Sequence, residues 1–156
     1  MYAHTAGRKW AGTATLVLAV FLLIGSAPAR ADAQERVGRR LQMVGLTNQD
    51  RTTRDRKALN FNAKISRYAK DHSQEMAKKG YLFHSDDNTL VKLLAPYHWS
   101  IGGENVGVGG SLDGLESAFM QSKDHRENIL RRQFDHMAVG IVRDGDTLWV
   151  TVIFYG

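Results

Sequence analysis

At 156 residues, with a formal net charge of +5 and no cysteine, the chain suits one domain held by its core and excludes a disulfide framework. Its basic residues are spread out or interrupted, at Arg36 to Arg40, Arg51 to Lys57 and Arg131 to Arg132. They read as a solvated surface and not as a nucleic-acid groove.

The first predicted element is an address. Arg8 and Lys9 precede an uncharged run from Trp10 to Ala29 with an apolar centre at Leu16 to Ile24. A-x-A sites follow at Ala27-Pro-Ala29, Ala29-Arg-Ala31 and Ala31-Asp-Ala33. This order predicts a secretory signal over residues 1–33, cut between Arg30 and Gln34. The rival is a retained anchor, since the uncharged run is just long enough to span a bilayer. Cleavage leaves 18 basic and 15 acidic residues, a net +3. The expected product, residues 34–156, is a secreted, extracellular or cell-envelope monomer without stable membrane insertion. It is long enough to build a core without disulfides.

Val37, Leu41 and Val44 have helical spacing and predict an amphipathic helix from residue 34 to about Arg51. Asn48 and Arg51 read as helix surface and C-cap, and 51–57 as a polar linker. A second helix is expected over Asn62 to Lys79, with Ile65, Tyr68, Ala69, His72 and Met76 on one face and Gly80 ending it. His72 on that stripe reads as a packed, hydrogen-bonded histidine. Tyr81 and Phe83 are expected to pin the following segment and fix where His84 points. Asp86, Asp87 and Asn88 can cap a short helix over Thr89 to Leu94, which Pro96 stops.

Ile101 to Gly109 holds Glu104 and Asn105 among four glycines and reads as a tight, flexible loop. It lies in sequence between His84 and His125. If the fold joins these segments they form a His, Glu, His cleft, which spacing alone leaves open. Ser111 is a plausible N-cap for a helix to about Gln121 with Leu112, Leu115, Ala118, Phe119 and Ser122 on one face. Ser122 then caps a turn over Lys123 to Leu130 that carries His125. Asp144-Gly145 between two β-rich runs, His136 to Arg143 and Thr147 to Tyr155, is a strong hairpin signal. The last run is apolar on both faces, so helices should cover both sides.

Taken together these segments resemble the CAP superfamily, the SCP-like extracellular domain of cysteine-rich secretory, antigen 5 and pathogenesis-related class one proteins. The carrying residues, in order, are Asn48-Gln-Asp-Arg51, Tyr68 to Ala77, Phe83-His-Ser85, Gly103-Glu-Asn-Val106, Phe119 to Ile129 and Val139-Gly-Ile141. The absence of cysteine and the compact His125-Arg-Glu-Asn-Ile129 segment resemble its bacterial branch. The resemblance implies an α+β fold, a three-layer α-β-α sandwich with a C-terminal antiparallel hairpin, over residues 34–156. It also implies a cleft with two histidines and two acids that can hold a divalent cation such as zinc. Carried onto this chain, His84 is the first histidine, Glu104 the first acid and His125 the second histidine. The second acid falls at Ser122, a departure that makes any zinc site of His84, Glu104 and His125 weak. His136 is expected outside the cleft.

Three functions follow as expectations. One is a binding module for lipid, sterol or an envelope component, with His84, Glu104, Asn105, Ser122 and His125 lining the cleft and no required cofactor. Another is a hydrolase using metal-bound water. The third is a purely structural cleft. Neither Ser122 nor Ser85 sits in a nucleophile elbow, so no serine hydrolase is indicated.

Overall fold

The final hairpin is apolar on both faces, and the architecture follows from covering both. The structure, a computed structural model, describes residues 27–156. Strand β3 (His136–Asp144) turns at Gly145, whose φ of 57° is left-handed, into β4 (Thr147–Tyr155). On the outer side of β4 lies β2 (Gly102–Gly109), antiparallel, and on the outer side of β3 lies the short β1 (Asn60–Phe61), parallel. The sheet order is β1-β3-β4-β2.

Alternation along the hairpin sends Val139, Val150, Val152 and Phe154 into one core and Ala138, Ile153 and Tyr155 into another. The first core is closed by α1 (Ala27–Thr52), α4 (Leu112–Gln121) and α5 (Lys123–Leu130). The second is closed by α2 (Ile65–Lys79) and α3 (Asp87–Leu94), which continues into a 3-10 turn over Ala95–Tyr97. This is the expected three-layer sandwich with its C-terminal hairpin. Among the described residues no helix is long and apolar enough to cross a membrane. Residues 1–26 of the signal-like segment lie outside the described residues, and its A-x-A sites fall in the first turns of α1.

Several local expectations are corrected. Helix α1 does not bury Val37 and Leu41, which stay 45% and 53% exposed. Its fully buried stripe lies in its second half, at Met43, Thr47 and Arg51. Arg51 is neither surface nor cap. It is fully buried, and its guanidinium donates to the carbonyls of Lys57 (2.8 Å), Ile129 (2.6 Å), Arg131 (3.0 Å) and Phe134 (3.2 Å). Burial, with Arg56 nearby, lowers its pKa. Asn48 pairs with the backbone of Leu59 in both directions, at 3.1 and 2.7 Å. Together they stitch 57–59 and 129–134 to α1.

The glycine stretch is a strand and not a loop. Glycine serves there because neighbours press close: a Cβ on Gly103 would meet Asn128 at 2.7 Å, and one on Gly107 would meet Phe119 at 2.8 Å. On β3 the approach is closer still at Gly140, where a Cβ would lie 2.0 Å from the Ala69 carbonyl carbon of α2. The α2 backbone therefore rests directly on β3, and Ser73 Oγ lies 3.2 Å from the Gly140 oxygen.

In α4 the inward position is Glu116 and not Ala118, which is exposed. Thr47 on α1 donates to Glu116 Oε2 at 3.1 Å, while the buried Oε1 has no partner. Burial pushes the Glu116 pKa up to about 7, with Asp50 adding to the rise and the Thr47 bond opposing it.

Two outcomes follow. Trp149→Ala should cost ~3–5 kcal/mol by chemical denaturation, and Gly140→Ala ~3 kcal/mol or more, because backbone cannot step aside. An unchanged midpoint for either would mean that the α2 layer does not press on β3 and β4. For Glu116 the folded pKa is raised above the unfolded value of 4.5, so the neutral acid is the form that folding favours. Its contribution is intact below about pH 4.5, declines toward pH 7 and is flat above, a loss on the order of 3 kcal/mol. Glu116→Gln should therefore gain stability relative to wild type as pH rises through that window. A stability difference independent of pH would contradict it.

Candidate functional site

The site is organised by β2, an edge strand whose neighbouring residues point to opposite faces. Glu104 sits opposite Ile153 and turns to the α2–α3 face, whereas Asn105 sits opposite Val152 and turns to the α5 face.

On the first face, α2 ends at Gly80 with φ 74°. The chain then passes Phe83, whose carbonyl accepts from His72 Nε2 at 2.9 Å and whose ring stands edge-on to the His72 ring. His72 is thus the packed histidine that the helix stripe predicts. Phe83 pins the segment, but Tyr81 does not, being 57% exposed. Glu104, nearly buried, receives the next two residues. Its Oε1 accepts from the Ser85 amide and from His84 Nδ1, both at 2.9 Å, and its Oε2 accepts from the Ser85 hydroxyl at 2.6 Å. A carboxylate only accepts, so His84 Nδ1 carries the hydrogen and Nε2 of the neutral ring is an open acceptor.

On the second face, fully buried Asn105 donates to the His125 carbonyl at 3.1 Å and accepts from Asn128 at 2.9 Å. His125 lies in the first turn of α5 with its ring 5.0 Å from that of Phe119. Burial pushes its imidazole below the ordinary value, the neighbouring His84 adds to this, and Asp124 opposes it. Ser122 begins α5 but its hydroxyl makes no cap bond. His136 stacks on Tyr155, away from these groups.

The expected metal set fits poorly. Both Glu104 oxygens are engaged by Ser85 and His84, and Asn105 holds the backbone carbonyl of His125. Among the described residues no group of three or more His, Cys, Asp or Glu side chains is placed to hold an ion. Glu104 here orients His84 and anchors Ser85.

Beside this clamp is a cavity of about 320 Å³. Leu90, Val91 and Leu94 of α3, with Trp99 and Ile153, form its apolar wall. His84, Ser85, Asp87 and Glu104 form its polar end, and Ser122, Asn105 and His125 do not line it. Asp86 sets the α3 roof by accepting from the Thr89 amide at 3.1 Å. Sequence reasoning found the α3 cap and its stop but not the pocket. The signal was the Leu90, Val91, Leu94 spacing, which needs something apolar beneath it. A larger groove between α1 and α4 is lined mostly by polar residues such as Gln49, Asp50, Arg54 and Arg126.

Comparison with known proteins gives a consistent set of relatives. The model of the cysteine-rich secretory protein family, CAP, matches residues 44–154. The uncharacterized protein YkwD of Bacillus subtilis is 31% identical over 130 residues, covering 80% of this chain and 48% of its own length. An extracellular SCP-domain protein of Bacillus anthracis superposes with a TM-score of 0.65 at 27% identity, covering 79% of this chain and 42% of that one. A cysteine-rich secretory protein of Staphylococcus aureus has the same fold, with TM-score 0.65, 21% identity and coverage of 78% and 39%. The chain thus spans about half or less of each of these relatives.

Proposed function

The chain belongs to the cysteine-rich secretory protein family, in its bacterial form, and from that premise we propose that it is an exported binding module for an apolar or amphiphilic component of the cell envelope. The observation that carries this reading is the pocket beneath α3. A largely apolar cavity with a few convergent polar groups is the ordinary form of a small-ligand site. Export is supported by the signal-like order of residues 1–33 and by the extracellular description of the Bacillus anthracis relative.

The hydrolase reading has less behind it. It needs a water-activating metal or a nucleophile with its base, and Glu104, the nearest acid, is committed to Ser85 and His84. The structural role expected for Glu104 is compatible with the binding reading, because the clamp holds one end of the pocket.

The test is titration with N-phenylnaphthylamine, an uncharged apolar probe, followed by its fluorescence. Saturable enhancement is expected, and Val91→Asp, at a half-exposed position of the wall, should weaken it about tenfold by placing a charge against the probe. An unsaturable signal, or a Val91→Asp variant that binds as wild type does, would overturn the reading.

A further inference from the structure

Resting on the reading of the α3 pocket as a ligand site, we propose that its occupant is a single-chain amphiphile with a protonated amine at its head. The polar end of the pocket decides the head group. His84 gives its Nδ1 hydrogen to Glu104, so its Nε2, on a side chain that is 61% exposed, presents a lone pair. Asp87 is exposed in the first turn of α3 and presents a carboxylate. The Ser85 hydroxyl has spent its hydrogen on Glu104 Oε2. Every polar side chain lining that end therefore offers lone pairs, and none has a spare hydrogen. No lysine or arginine lines the pocket.

The positive end of α3 does not reverse this. Asp86 already accepts from the Thr89 amide, and Asp87 lies in the same first turn. A carboxylate head would meet Asp87, with Glu104 behind, and would find no donor side chain at that end; the indole N–H of Trp99 belongs to the apolar wall. A hydroxyl can donate one hydrogen bond. An ammonium donates three and carries the complementary charge, and charge-assisted bonds are the stronger kind. The cavity of about 320 Å³ is at the small end for ligand sites, which suits one alkyl chain and not the two of a bilayer phospholipid. The chain as a whole is net positive, so its long-range field opposes this preference. An amine selected by this protein is selected locally.

Calorimetry of the purified protein with decylamine, decanol and decanoate, each below its micelle concentration, tests the assignment. The expected order is decylamine, then decanol, then decanoate, with at least about tenfold between first and last. Asp87→Asn should bring decylamine down toward decanol, with a much smaller change for decanol, whose single hydrogen bond the amide oxygen can still accept. Decanoate binding as tightly as decylamine, or an amine advantage that survives Asp87→Asn, overturns the head-group assignment and leaves the pocket standing. Failure of all three to bind overturns the pocket reading and this inference together.

Discussion

A carboxylate buried on an edge strand must be satisfied or it destabilises everything around it. Glu104 is satisfied three times, and all three donors come from the adjacent pair His84 and Ser85. The segment between α2 and α3 therefore has one place to go. That placement sets the start of α3, whose cap at Asp86 is the next residue, and α3 is the roof of the pocket. The position of His84, the closure of the second core and the shape of the cavity all depend on one side chain. Asn105 does the same for α5 from the other face, through the His125 carbonyl and Asn128.

The layers can come this close because small residues stand where they touch. Gly140 lets the α2 backbone lie on β3, and Gly103 and Gly107 admit Asn128 and Phe119 against β2. In sequence these glycines look alike, as breakers. That is why the helices, their caps at Asp86, Ser111 and Gly80, and the hairpin around Gly145 were legible, whereas β2 was read as a loop. Four glycines hide the two-residue period, and only the partner β4 makes the segment a strand.

Arg51 was hidden for a different reason. A charged residue near a helix end has the pattern of a surface cap, and the carbonyls that make it core come from 57 to 134 in the chain. The family resemblance identified Glu104 and His84 as neighbours, and they are. It also suggested His125 as a third ligand beside them. In the structure Asn105 holds the His125 backbone carbonyl, while both Glu104 oxygens are taken by Ser85 and His84. The site that remains is a clamped histidine at the mouth of an apolar pocket.

Native-state hydrogen exchange tests the clamp most directly, comparing wild type with Glu104→Ala. The account predicts that the Ser85 amide of wild type is protected, and that the variant loses protection at Ser85 and through α3 while β3 and β4 keep theirs. A freely exchanging Ser85 amide in wild type, or an α3 unaffected by the variant, would contradict the claim that Glu104 positions the pocket.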